Sequence, residues 1–212
     1  MQLTTREKIA YLVAAASFGV LAASGFQGSD LKLAVVDISD VVEQSDYGKK
    51  NQEDFNTMKS AREGILEFID TYRVLTNEQA LKLRELSLKA NATAAEKAEL
   101  ETLKATIIAS DKKSKEIAQK ANLTPEERTL MQDFAQRSQT MEQVAQRWFR
   151  EFTNEMQQWA DKQKSASITR AREALTEVGK AGSYTIVFES GVAPYGANDL
   201  TQPALKAMNA KK

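Results

Sequence analysis

The 212-residue sequence contains no cysteine and no histidine. Without cysteine the chain has no thiol nucleophile and no disulfide. Without histidine it lacks the usual general base at neutral pH and the commonest metal ligand. The carboxylates, lysines and serines form no grouping in the sequence that would serve as a catalytic site instead. We therefore expect a protein that is not an enzyme and that holds no metal and no cofactor.

Net charge is also absent, because 29 basic residues balance 29 acidic ones. Nothing in the overall charge attracts nucleic acid or anionic lipid. We expect no nucleic-acid partner, and the sequence leaves contact with a membrane open. Any electrostatic partner would have to be recognised by a local cluster of charges.

Proline is scarce, and Pro125 is the one proline in the stretch 40–178. This stretch is rich in Ala, Glu, Lys, Gln, Arg and Leu, which are good helix formers. It predicts a long helical arm over residues 40–179. Phe55, Met58, Ile65, Ile69 and Tyr72 recur at steps of three and four, as in an amphipathic helix, and the step at Arg62 is missed.

Three breaks are predicted in the arm, near residues 75, 92 and 123. Thr76, Thr93 and Thr124 each stand three residues before Glu or Gln, which is the capping-box spacing at the start of a helix. The segments 89–93 and 120–124 are near copies, so two of the breaks form a partial internal repeat. The capped segments either extend the arm to a distant tip or fold back as a zigzag, and the sequence leaves both open.

The amino terminus has the pattern of a secretory signal. Arg6 and Lys8 precede an uncharged run over 9–23, and small residues follow that run. The run is short for a membrane span, which needs roughly 20 apolar residues. We expect residues 1–25 to be a signal peptide and the mature chain to work outside the cytoplasm. The cleavage site is not defined, and an uncleaved anchor is the second interpretation.

A short strand pattern lies on each side of the arm. Leu33 and Val35 share one face of the first strand, and Ile186 and Phe188 share one face of the second. Since two or three short strands do not form a stable sheet, we expect strands of several subunits to pair.

The strands belong to a small β head that is predicted to comprise residues 31–39 and 180–212. An edge strand is expected at 192–195, where Pro194 would be tolerated because an edge strand needs fewer amide donors. A final helix is expected after the capping sequence at 199–201.

Four segments carry a resemblance to a known family: the strands at 31–38 and 184–189, the Val-Ala-Pro-Tyr turn at 192–195 and the Asp-Leu-Thr sequence at 199–201. Together they resemble the Skp, or OmpH-like, family of periplasmic chaperones. The order of signal, strand, helical arm, strand and final helix is similar over the whole chain. The capped segments over 76–121 have no counterpart in that pattern. The balanced charge also departs from it and argues against lipopolysaccharide binding.

The resemblance implies a mainly α fold with a small β head and a long antiparallel helical-hairpin, or coiled-coil, arm. The strands at both ends of the mature chain would assemble into the β-barrel of a homotrimer. The implied function is that of an ATP-independent periplasmic holdase, which binds unfolded outer-membrane proteins in a cavity between the arms. The alternative is a structural coiled-coil spacer or adaptor that links envelope components, which a retained amino-terminal anchor would favour.

A holdase of this kind would contact clients through flexible apolar side chains, and methionine suits such surfaces. The candidates on the last helix are Met131, Phe134, Met141, Phe149 and Met156. The first three fall on a heptad seam with Trp148, Phe152 and Trp159, and a stripe at this spacing is more often buried between helices. Phe149 and Met156 lie off the seam and are the better candidates for client contact.

Overall fold

The computed structural model describes residues 31–211, so the predicted signal peptide lies outside the described residues. The elements follow in the order β1 (Leu33–Val36), α1 (Ile38–Gln44), α2 (Asp46–Thr71), α3 (Asn77–Leu88), α4 (Ala94–Ala118), α5 (Pro125–Ala181), β2 (Ile186–Glu189) and α6 (Thr201–Ala210). The prediction of a mainly helical chain with a small β part is confirmed. Within the described range, no helix combines the length and the hydropathy that a membrane crossing requires.

The described chain divides into two compact units, of which the first comprises residues up to 41 together with 171–211. In this unit β1 and β2 pair in parallel, and Leu33 lies opposite Ile186 while Val35 lies opposite Phe188. Ala34 and Val36 are almost fully buried on the other face of β1. The strands therefore bury small aliphatic side chains on one face and leave larger ones on the opposite face.

The predicted edge strand at 192–195 is wrong. The backbone N–H groups of Val192 and Ala193 both donate to the carbonyl of Glu189, so the chain turns directly after β2. The third segment beside β1 comes later, where the N–H of Val35 donates to Asn198 O and the N–H of Leu200 donates to Val35 O, each at 2.8 Å. A short Gly- and Pro-containing segment turns more readily than it extends, because both residues favour turns.

The second unit comprises residues 42–170 and begins with a helix break. Ser45 caps α2, since its Oγ accepts from the N–H of Gly48 at 2.9 Å and donates to the carbonyl of Val42 at 2.7 Å. Gly48 lies inside the first turn of α2. A Cβ at this position would stand 1.9 Å from Val42 O, so glycine permits the chain to turn tightly at Ser45.

All three capping boxes are confirmed. Thr76 donates its N–H to Gln79 and accepts from the Gln79 N–H through its hydroxyl, and Thr93 with Glu96 and Thr124 with Glu127 repeat this exchange. The two near-copy segments also share an ion pair. Lys89 donates to Glu96, and Lys120 donates to Glu127. The sequence repeat is therefore a repeat of one complete turn structure.

The capped segments fold back on themselves. Going along α2, the hydrogen-bonded partners on α5 have decreasing residue numbers: Asn51 bonds Ser167, and Arg62 bonds Glu155. Arg137 then bonds the carbonyl of Val74, just before α3 begins. On α3 the direction reverses, since Arg84 bonds Glu151 and Glu155. Of the two threadings that the sequence left open, the structure has the zigzag.

The hydrophobic core of the second unit lies among α2, α3, α4 and α5. Most of its side chains come from these helices, and Val74 and Leu75 come from the connection between α2 and α3. The buried members are Ile65, Ile69, Val74, Leu75, Ala80, Leu83, Ile107, Phe134, Met141, Val144, Trp148 and Phe152. The predicted heptad seam of α5 thus supplies the core through four of its residues, whereas Val144 was not anticipated.

Candidate functional site

A groove of about 300 Å³ runs between α2 and α5 in the second unit. Its walls are mostly apolar, and charged and amide side chains line its rim. The apolar lining consists of Phe55, Leu66, Phe149, Phe152, Met156 and Ala160. An apolar groove open to solvent, with large side chains uncovered beside it, is a candidate binding surface.

The five predicted contact residues separate into two groups in the structure. Phe134 and Met141 are buried in the core, and Met141 has no exposed surface. Met131 is partly buried and does not line the groove. Phe149 and Met156, the two residues off the seam, both line it, and 61% of Phe149 is exposed. The structure therefore brings two of the five candidates together.

One side of the groove is held by charged groups. Arg62 Nη2 donates to Glu155 Oε2 at 3.0 Å, and Nη1 donates to the carbonyl of Met58 at 3.2 Å. The guanidinium groups of Arg62 and Arg84 lie 5.5 Å and 4.9 Å from the centre of the Phe152 ring, which is within the range of cation–π contacts. This arrangement fixes the position of Phe152 at the base of the groove.

Among residues 31–211, no cluster of three or more acidic side chains is arranged to hold a metal ion. The exposed charges along the groove are instead paired with one another. Lys59 and Glu63, for example, lie 3.7 Å apart on successive turns of α2. The groove therefore offers apolar contact with little net charge.

Comparison with protein families gives a match to the model described as outer membrane protein (OmpH-like), over residues 32–208. The chain belongs to the OmpH-like family. A search of curated proteins and a search of solved structures each found no match. The predicted resemblance is thus confirmed. The family supports a role as a chaperone of outer-membrane proteins in the periplasm and not a role as an enzyme.

In this OmpH-like chain the apolar surface continues beyond the first groove. A second groove of about 380 Å³ shares Leu66 and Phe149 with the first and extends to Asp70 and Ala145. At about 1.5 Å per residue, the α2 segment from Phe55 to Asp70 spans roughly 22 Å. Phe149 stands where the two grooves meet, so it is accessible from both.

The sequence did not indicate Leu66 as a contact residue, and it placed Phe55 only on the apolar face of the predicted amphipathic helix. Leu66 directly follows the buried stripe residue Ile65, just as Phe149 directly follows the buried seam residue Trp148. Both are large apolar side chains that come one position after a residue of the buried apolar face, and this pattern is visible in the sequence.

The β strands of this OmpH-like chain carry a second uncovered surface, in the first unit. Leu33 and Ile186 lie opposite each other across the strand pair, and 43% and 44% of their surfaces are exposed. Val35 and Phe188, the next pair on that face, are partly buried. These four predicted head residues therefore form one continuous apolar strip.

Proposed function

We propose that this protein is an ATP-independent periplasmic holdase whose groove between α2 and α5 contacts unfolded outer-membrane proteins. The observation that carries the proposal is the exposure of Phe149 beside Met156, on a helix whose other large aromatic residues are mostly buried. An aromatic ring left in water is unfavourable by the free energy of burying its apolar surface, at about 25 cal/mol per Å². A client that covers the ring recovers part of this free energy.

The composition of the groove supports binding without strong sequence preference. Phe149 and Met156 offer apolar contacts that adapt to many side chains, and methionine is unbranched and polarisable. The rim charges Lys59 and Glu63 neutralise each other, so they select neither acidic nor basic clients. Weak contacts of this kind permit release without nucleotide hydrolysis.

We propose further that the protein is a homotrimer in which the strip of Leu33, Val35, Ile186 and Phe188 lies at the subunit contacts of a β-barrel. A two-stranded sheet is marginal by itself, and additional strands would stabilise it. In such an assembly α2 and α5 of each subunit form an antiparallel helical arm. Three arms would hold one client at several points, so weak individual contacts would add up to useful retention.

The proposal is tested with the protein lacking residues 1–25, added to an outer-membrane barrel protein that is diluted from urea. Aggregation is followed by light scattering, and the oligomeric mass is measured on the same sample. The proposal predicts suppression of aggregation by a trimer at near-stoichiometric amounts, with no nucleotide present. A stable trimer that leaves aggregation unchanged contradicts the holdase and favours a structural spacer.

Two variants test whether the groove is the site that binds clients. Phe149→Ser should weaken suppression while the helical content stays the same, because the side chain is mostly exposed. Leu81→Ser is the matched control, since Leu81 is 59% exposed but lies on α3, outside this groove. If both variants lose activity equally, the clients are bound by scattered apolar residues and the groove is not the site.

A further inference from the structure

Sulfur occurs in this chain only as methionine, because the sequence has six methionines and no cysteine. Met141 and Met208 are buried, with 0% and 4% of their surfaces exposed. Met58, Met131 and Met156 are partly buried. Of these three, Met156 lines the groove between α2 and α5, whereas Met58 and Met131 do not.

We propose that Met156 is an oxidation site, and that its conversion to methionine sulfoxide lowers the affinity of the groove for clients. This inference rests on the proposed holdase function. In the reaction the thioether sulfur gives an electron pair to one oxygen of a hydroperoxide. The O–O bond breaks as the S–O bond forms, the sulfur is oxidised by two electrons, and water or an alcohol leaves.

Access and space favour the reaction at this residue. The open groove beside Met156 admits a small oxidant and leaves room for the added oxygen, whereas Met141 is enclosed in the core. Lys59 and Arg62 line the same groove, so its wall is not wholly apolar. Both residues make the polar product easier to accommodate than it would be in a wholly apolar site.

Oxidation would change the chemistry on which client contact depends. The thioether is flexible and apolar, whereas the sulfoxide is polar and carries a strong hydrogen-bond acceptor. A client that covers the oxidised side chain must remove water from the sulfoxide oxygen, which is unfavourable unless a donor replaces it. Because the two most buried methionines are shielded, mild oxidation would alter the groove and leave the core intact.

The test treats the protein lacking residues 1–25 with hydrogen peroxide and ranks sulfoxide formation by peptide mass spectrometry. Retention of an unfolded outer-membrane barrel protein is then measured before and after treatment. We expect Met156 to be oxidised well before Met141, and client retention to fall roughly three- to tenfold, as loss of part of one apolar contact predicts. Met156→Leu should retain clients to the same extent before and after treatment. Met58→Leu, the matched control, should remain as sensitive as the unaltered protein.

Two results would overturn the inference: oxidation of Met141 as early as Met156, or an equal loss of client retention in Met156→Leu. If the untreated protein retains no client, the holdase proposal fails separately. The oxidation site is then judged by the peptide ranking and by an apolar fluorescent dye. Dye binding should fall on oxidation in the unaltered protein and not in Met156→Leu.

Discussion

Arg62 on α2 and Glu155 on α5 form a 3.0 Å ion pair at a position where the helix stripe would otherwise hold an apolar residue. Only 14% of the Arg62 side chain is exposed. The other oxygen of Glu155 accepts from Nη2 of Arg84 on α3 at 3.3 Å. One carboxylate thus joins three helices, and it does so where α3 returns along α5.

Replacing Glu155 by Ala should therefore destabilise the protein by about 1–3 kcal/mol, because two guanidinium groups lose a partner and one of them is largely buried. Urea unfolding at fixed protomer concentration, followed by helical circular dichroism, measures this change. Glu63→Ala removes the exposed pair with Lys59 and should change stability by less than about 0.5 kcal/mol. Equal unfolding midpoints for the two variants would show that the three-helix junction contributes nothing specific.

Two glycines of α2 should respond to alanine with opposite signs. In Gly48→Ala the new Cβ would stand 1.9 Å from the carbonyl of Val42, so the α1–α2 break must rearrange, and we expect a loss of about 2 kcal/mol or more. In Gly64→Ala the Cβ would meet nothing within 4 Å. Since alanine is the better helix former, that variant should gain about 0.5–1 kcal/mol. Thermal unfolding of both variants is the measurement, and a stabilised Gly48→Ala would refute the steric account.

The starts of α3, α4 and α5 could be predicted from the sequence because they depend on residues close in the chain. Each capping box involves a threonine and a Glu or Gln three residues later, as at Thr76 and Gln79, so its spacing is visible without tertiary information. The wrong prediction of an edge strand at 192–195 has another cause, because strand pairing depends on residues distant in the chain. Whether such a segment pairs or turns depends on the neighbour of β1, and that place is taken by the backbone of Asn198 and Leu200.

The zigzag could not be predicted because it depends on which apolar stripes meet. The helix lengths seen in the structure account for the zigzag. Subtracting the 12 residues of α3 from the 26 of α2 and the 25 of α4 leaves a net advance of about 39 residues. That length suits the part of α5 in the same unit, whereas a straight threading would leave much of α4 without a partner. The groove was hidden for the same reason, since Phe149 and Leu66 approach each other only when α2 lies beside α5.

The turn that begins at Lys89 should keep the Glu96 carboxyl ionised at a lower pH than an ordinary glutamate. A hydrogen bond from the Lys89 ammonium, followed by one from the Thr93 N–H, lowers the pKa of Glu96 from 4.5 to about 2. Because the folded-state pKa is depressed, the contribution of this cap is fully present above about pH 4.5 and is lost as the pH falls through about 2. Carbon-13 NMR titration of the carboxyl group measures this pKa.

Lys89→Met should raise the pKa of Glu96 toward 4.5, since it removes the largest cause of the shift. Lys120→Met is the matched control, because Lys120 lowers the pKa of Glu127 in the second turn and should leave Glu96 unchanged. An unchanged Glu96 titration in Lys89→Met would mean that the threonine cap alone lowers the pKa.

The exposed strip on the strands should be the most sensitive site for assembly. Ile186→Lys places a charge on the face that we propose to lie between subunits, and burying it without a partner should cost about 2 kcal/mol or more at each contact. Because 44% of Ile186 is exposed within one chain, the same change should affect folding of the subunit much less. Light scattering during size-exclusion chromatography at micromolar concentration should therefore show smaller species.

Thr185→Lys is the control for this change. Thr185 is exposed and directly precedes Ile186, so its side chain points to the opposite face. Its backbone N–H donates to the carbonyl of Lys32, and this bond does not involve the side chain. This variant should keep the mass of the unaltered protein. If Ile186→Lys also keeps that mass, the strip of Leu33 and Ile186 is not a subunit contact. Subunits would then have to pair through the edge of β2 that faces away from β1, and a side-chain charge on this face leaves that edge intact.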